Sequence, residues 1–251
     1  MKIAVAGGTG VVGRHVVEVA KAAGHEPVVL SRGAGVDLLD ENKVAAVLRG
    51  ADAIIDVANA PALNEKKATA FFAEVDERLS RLGAQAGASR LVALSIVGID
   101  RVSWSYYRSK VAQEKAVRSG PLPATIVRAT QFHEFPGQIL DRAHLGPLAA
   151  VPVMAIQPIA ARSVAEFLVR SVEQPPSSQV TEIAGPRPEN LVALARATAR
   201  RNGRRVVVVP IRVPGAAGRA MRRGDLRPGP DAQLVGPSFA DWAEESHTEA
   251  P

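Results

Sequence analysis

Tyr106 and Lys110 stand four residues apart in the segment Tyr106-Tyr107-Arg108-Ser109-Lys110, a spacing that puts both on one face of a helix. An ammonium beside a phenol stabilises the phenolate. Lys110 is therefore expected to draw the tyrosine pKa from about 10 toward neutrality, making Tyr106 a general acid or base for a carbonyl–alcohol pair. The same lysine can hold a ribose. Tyr107 is the alternative reactive group if Tyr106 and Lys110 only pack. Eleven residues before Tyr106, Ser95 closes an aliphatic run and precedes Ile96-Val97-Gly98. A hydroxyl at such a strand end can orient a substrate carbonyl.

A second cluster lies near the amino terminus, where Gly7-Gly8-Thr9-Gly10-Val11-Val12-Gly13 follows a short apolar run and opens a helical pattern. Glycines there allow a tight turn and let backbone N–H groups approach a pyrophosphate. The helix amino terminus adds positive potential, and the last glycine permits close helix–strand packing. Gly7, Thr9, Gly10, Val11, Val12 and Gly13 are the expected dinucleotide contacts. An NAD site would usually place an acidic residue at the end of the second strand, but this one ends Val29-Leu30-Ser31-Arg32. Arg32 suits a ribose 2′-phosphate instead, so NADP(H) is the expected cofactor. Ser31 stands beside that phosphate, and Asp37 and Leu38 lie further along, toward the adenine.

These residues need elements to hold them. Aliphatic runs that end in polar or glycine residues recur at 2–6, 27–31, 53–57, 90–95 and 124–129. Between them, helical spacing covers 12–23, 42–49, 65–86 and 105–119, with Asp40, Asn64 and Ser103 as capping residues. The alternation βαβαβαβαβ, with strands apolar on both faces, predicts an α/β fold: a Rossmann-type doubly wound parallel sheet. Beyond about residue 145, prolines break the pattern into a small substrate-side region. Helices are expected there at 162–173, 188–201 and 214–223 and a strand at 205–210. The polar tail carries Phe239 and Trp242, expected to dock it onto the body. The whole is read as one domain, 1–251, with its core in 1–145.

Composition narrows the classes further. With no cysteine among 251 residues, disulfide scaffolds and cysteine metal sites are excluded, and His15, His25, His133, His144 and His247 show no metal-ligand spacing. The longest apolar stretches are too short to span a membrane, and no signal-peptide run opens the chain, so a cytoplasmic protein is expected. The net charge is +6, and residues 186–230 alone hold eleven arginines against Glu189 and Asp225. Arginine outnumbers lysine throughout, and no aromatics interleave this segment for stacking on bases, so nucleic acid is not an expected partner. There is no nucleophile elbow, Walker lysine or carboxylate pair for hydrolase or kinase chemistry.

Taken together, Gly7–Gly13, Ser31-Arg32, Asp56-Val57-Ala58-Asn59, Leu94–Gly98, Tyr106–Lys110 and Arg128–Phe135 resemble the short-chain dehydrogenase/reductase superfamily. The likeness is closest to its atypical, NmrA-like branch of NAD(P)-binding proteins. That resemblance implies that Ser95 orients a carbonyl, Tyr106 transfers the proton, and Lys110 lowers the tyrosine pKa and binds ribose. It further implies that Ala58 and Asn59 border the cofactor, and that Phe132 and His133 border the substrate. The sequence departs from typical members in having Ala58-Asn59-Ala60 for Asn-Asn-Ala-Gly, a GxxGxxG glycine spacing and a short Ser–Tyr interval. The reading is an NADP(H)-dependent oxidoreductase acting on a carbonyl or hydroxyl of a small molecule, as a monomer or homodimer. The alternative is a non-catalytic NADP(H)-binding redox sensor.

Overall fold

A computed structural model describes residues 1–60 and 64–248, which form two compact units. The first comprises Met1–Ile96, Ser105–Arg128 and Ala161–Thr181. Its strands are β1 (Lys2–Ala6), β2 (Glu26–Leu30), β3 (Ala53–Asp56), β4 (Leu91–Ile96) and β5 (Ala124–Ala129), whose last residue belongs to the second unit. They lie side by side in the order β2-β1-β3-β4-β5. β1 pairs in parallel with β2, Ala4 opposite Val28, and with β3, Ala4 opposite Ile54; β3 pairs in parallel with β4. Because the chain leaves β1 to one side for β2 and returns on the other for β3, the order reverses between β1 and β3. An open α/β sheet binds its ligand at the carboxyl ends beside such a reversal.

Burial explains the strand sequences. All four residues of β3, and Ile3 to Ala6 of β1, are buried, as expected of a parallel strand covered on both faces. Five helices do the covering: α1 (Val11–Ala22), α2 (Glu41–Leu48), α3 (Glu65–Gln85), α4 (Ser105–Ser119) and α6 (Ala161–Glu173), the last named out of turn because α5 (Phe135–Arg142) belongs to the second unit. α1 packs on α6, while α3 packs on α2 and α4. Right-handed crossovers put these two groups on opposite faces. Asp40 caps α2 by accepting from the Lys43 amide, and Asn64 caps α3 by accepting from the amides of Lys66 and Lys67, as expected. α4 begins at Ser105, two residues beyond Ser103.

The second unit comprises Val97–Trp104, Ala129–Ala160 and the chain from Glu182 onward. Here short strands pair: β6 (His144–Leu145) with β7 (Leu148–Pro152) antiparallel, and β7 with β11 (Val207–Ile211) parallel. β8 (Ala155–Ile156) pairs antiparallel with β10 (Glu189–Asn190), and β9 (Thr181–Ala184) parallel with β12 (Gln233–Leu234). The helix expected from 188 is α7 (Leu191–Arg201); residues 189–190 are strand instead, and Asn190 caps the helix through the amides of Val192 and Ala193. α8 (Gly215–Arg223) follows. The tail is a helix, α9 (Phe239–Thr248), with Phe239 and Trp242 against the His133 ring at 5.5 and 5.3 Å. No helix among the described residues is long and apolar enough to cross a membrane.

Candidate functional site

The glycine segment is shaped by backbone contacts. Gly7 has φ +79°, and a Cβ there would approach the Ala58 backbone to 2.8 Å, so only glycine combines that turn with that approach. A Cβ on Gly13 would collide with the Gly7 carbonyl oxygen, so the first turn of α1 lies directly on the strand end. The Gly10 amide donates to the Gly7 carbonyl at 2.9 Å, and Gly10 caps α1 without any side-chain acceptor. The first amides of the helix thus keep their capacity for an anion. Val12 is buried and Val11 half-buried. A cradle that side chains would fill, facing a helix amino terminus, fits a dinucleotide pyrophosphate.

Thr9 ties this loop to the second strand end by donating its hydroxyl to Ser31 Oγ at 3.1 Å. Arg32 follows, exposed, at the start of a short 3-10 turn covering Arg32–Ala34, and its guanidinium makes no hydrogen bond or ion pair among the described residues. Asp37 spends Oδ1 on the Leu39 amide at 3.0 Å. Leu38 is buried in the hydrophobic core while its carbonyl accepts from Arg78 at 2.8 Å. At the third strand end, Asp56 is 1% exposed and accepts from the Ala58 amide at 2.9 Å. Ala58 backs Gly7, and the exposed Asn59 accepts from the Tyr106 hydroxyl at 2.9 Å. Ser95, at the fourth strand end, is buried with its Oγ unpartnered.

The expected pairing of Tyr106 with Lys110 does not form. Lys110 is 4% exposed, and its ammonium donates to the Leu94 carbonyl at 2.9 Å and to Gln113 Oε1 and lies 4.9 Å from the Phe72 ring centroid. Burial pushes its pKa down, against the fields of Asp56, Asp76 and Glu114. Tyr106 is correspondingly not made acidic: burial raises its pKa, and the hydrogen bond to Asn59 opposes that only in part. The expected lowering is corrected by this geometry, because the lysine's hydrogen bonds go to the Leu94 carbonyl and Gln113 rather than to the phenol. Tyr107 is buried, and its pKa is raised by burial and by its neighbour Tyr106. It makes no hydrogen bond among the described residues.

Sequence reasoning overlooked the polar residues around Lys110. Gln113 Nε2 donates to Asp56 Oδ2 at 2.9 Å and to Asp76 Oδ1 at 3.4 Å, and Arg128 pairs with Glu114 at 2.8 Å. The signal was present in helical periodicity. Asp76 interrupts the buried stripe of Phe72, Val75 and Leu79 on α3, and Gln113 that of Lys110 and Val117 on α4. A polar residue on a core-facing stripe calls for a buried partner.

In the second unit Phe132 is half-buried and forms a bridge with Ile159, whose carbonyl accepts from the His133 amide at 2.9 Å. His133 is 1% exposed and Nε2 lies 3.1 Å from the Pro237 carbonyl, while burial lowers its pKa to about 4. The imidazole is therefore neutral, with Nε2–H donating. Among the described residues no group of three or more histidines, aspartates or glutamates could hold a metal ion.

No curated protein matches this sequence. A family described as NAD(P)H-binding matches residues 33–175, more than half of the chain. Among solved structures, UDP-N-acetylglucosamine 4-epimerase from Bacillus cereus is similar with a TM-score of 0.72 at 18% identity, covering 99% of this chain and 96% of that one. Triphenylmethane reductase from Citrobacter sp., complexed with NADP(H), gives a TM-score of 0.71 at 17% identity over 97% and 100% of the two chains. An NADPH-dependent quinone oxidoreductase from Escherichia coli gives 0.69 at 16% over 98% and 99%. At such identities the shared property is the fold.

Proposed function

Because the chain belongs to the NAD(P)H-binding family, we propose that it is an NADP(H)-dependent oxidoreductase of the atypical short-chain type, reducing a carbonyl of a small organic molecule. One observation carries this reading: adjacent residues at the end of β3 join the two halves of the chemistry. Ala58 backs the Gly7 turn, and Asn59 holds the Tyr106 hydroxyl.

Gly7, Thr9, Gly10 and the first turn of α1, Val11 to Gly13, would hold the pyrophosphate, with Ala58 and Asn59 bordering the nicotinamide half. Ser31 and Arg32 would take the 2′-phosphate, whose charge suits an unpaired guanidinium, and Asp37 and Leu38 would flank the adenine. NADPH supplies a hydride when bound. Ser95 Oγ, buried and free to donate, orients the carbonyl oxygen. Tyr106, kept protonated at neutral pH by its raised pKa, gives its proton to that oxygen as negative charge develops, which is the role of a general acid. Lys110 serves by position, fixing the Leu94 carbonyl next to Ser95. Phe132 and His133 would border the substrate.

Calorimetric titration with NADPH, NADP, NADH and NAD, followed by a carbonyl screen read by loss of NADPH absorbance, tests the proposal. Tyr106→Phe should lower turnover about 10²- to 10⁴-fold and leave NADPH affinity within about twofold. A protein that binds no dinucleotide would overturn the reading. The second reading, a non-catalytic NADP(H) sensor, draws on the separation of Lys110 from Tyr106, which leaves the phenol without a cationic activator. Tight binding without turnover in the screen would favour it.

A further inference from the structure

Beneath the candidate cradle lies a chain of buried polar groups of which the proposed chemistry uses only Lys110. Asp76 is completely buried, Asp56 and Gln113 are each 1% exposed, and Lys110 is 4% exposed. Asp56 stands at the centre: Oδ1 accepts from the Ala58 amide, and Oδ2 accepts from Gln113 Nε2, which also donates to Asp76 Oδ1. Gln113 Oε1 accepts from Lys110, whose ammonium also reaches the Leu94 carbonyl.

We infer that Asp76, Gln113 and Lys110 are positioning residues for the dinucleotide cradle, acting through Asp56, which holds the Ala58 amide in place behind Gly7. The inference rests on the cradle being the cofactor site and extends it to residues that touch no ligand.

Charge balance says which state of the cluster does this. Two buried carboxylates in the field of one ammonium would leave an uncompensated negative charge, which is strongly disfavoured in a dry interior. Burial and the Asp56 charge hold the Asp76 pKa well above the usual carboxylate range, opposed by Lys110 and Gln113, so Asp76 is the carboxyl that keeps its proton. Both Asp56 oxygens accept hydrogen bonds, and the Gln113 amide is oriented with its oxygen on the lysine and its nitrogen on the acids. The charged groups facing Asp76 are Asp56 from β3 and Lys110 from α4. Glu114 of α4, whose field reaches Lys110, is neutralised by Arg128 of β5. α2, also packed on α3, directs Glu41 onto Arg78 and Arg81 instead. The arrangement has a direction in pH: removing the Asp76 proton sets two carboxylates against each other and loosens Asp56 from Ala58.

The test is amide hydrogen exchange on the full chain, with the protection factor of Ala58 compared with those of Ile54 and Ile55 in the same strand, alongside NADPH titration. In the native protein Ala58 protection should fall on raising the pH far enough to deprotonate Asp76, while Ile54 and Ile55 hold. Asp56→Asn offers only one acceptor oxygen and sets its amide against that of Gln113, so Ala58 protection and NADPH affinity should both drop about tenfold or more. Asp76→Asn is neutral at every pH, keeps an oxygen for Gln113 Nε2, and should keep Ala58 protected and erase the pH dependence. If Asp56→Asn fails to fold, the contrast between native protein and Asp76→Asn across pH decides alone. Ala58 protection that is flat with pH in the native protein, or that collapses in Asp76→Asn as in Asp56→Asn, would overturn the inference. Loss of NADPH binding by the native protein, with the exchange pattern as described, would instead overturn the cofactor reading and leave the cluster's role in holding Ala58 standing.

Discussion

The glycine loop and the α4 face make opposite use of short sequence motifs. In the loop, Gly7 and Gly13 are fixed by backbone atoms that any sequence carries, the Ala58 main chain and the Gly7 carbonyl, so the motif and its geometry arrive together. On α4 the spacing of Tyr106 and Lys110 fixes only that they leave the helix on the same side. Where each side chain ends depends on what else lies within reach: Asn59 for the phenol, and Gln113 with the Leu94 carbonyl for the ammonium. Steric motifs therefore transfer from sequence to structure more faithfully than electrostatic ones.

The backbone side of this contrast is broken most severely by Gly13→Ala. Its Cβ meets a carbonyl that cannot rotate away, so urea unfolding should show a loss above about 3 kcal/mol, and dinucleotide affinity should fall with it. Next in size is an effect of side-chain surroundings. His133 has a folded pKa of about 4 against an unfolded value near 6.5, so the unfolded chain binds the extra proton first as pH falls. The stability involved is complete above about pH 6.5 and declines toward pH 4 by up to about 3 kcal/mol. In His133→Gln, whose amide can still donate to Pro237, unfolding measured across that window should lose this slope. Arg32→Ala should weaken NADPH about 10- to 100-fold by calorimetry and leave NADH unchanged, the size of one or two charge-assisted hydrogen bonds. Equal losses for both nucleotides would place Arg32 away from the 2′-phosphate. The smallest effect is expected of Asn64→Ala, about 1 kcal/mol from losing the cap of α3.

The same contrast explains which parts of the fold were readable. β1, β5 and α4 occupy the expected residues, and β2, β3, β4 and α1 to α3 are shifted by at most one residue at either end, because long apolar runs and strong caps settle these elements locally. The two-residue strands β6, β8, β10 and β12 exist only through their partners and carry no periodicity of their own. α5 escaped notice because Pro136 and Gly137 occupy its first turn, where proline is compatible with a helix but reads as a breaker. At the candidate site the strand-end residues were legible from the alternation of elements. Asp76 and Gln113 were legible only as polar breaks in buried helical stripes, and their partners appear only when α3 and α4 face each other across the end of β3.

β11 occupies the edge of its three-stranded sheet and exposes Val207, Val209 and Ile211, the profile of a strand that recruits other chains into aggregates. Val207 turns its N–H inward to the Pro147 carbonyl, and backbone alternation then turns the amides of Val208 and Pro210 outward. Proline has no hydrogen to offer there. The outer rim of β11 is left with one donor, too few for a second chain to extend the ladder, so a single imino acid closes this edge to strand addition.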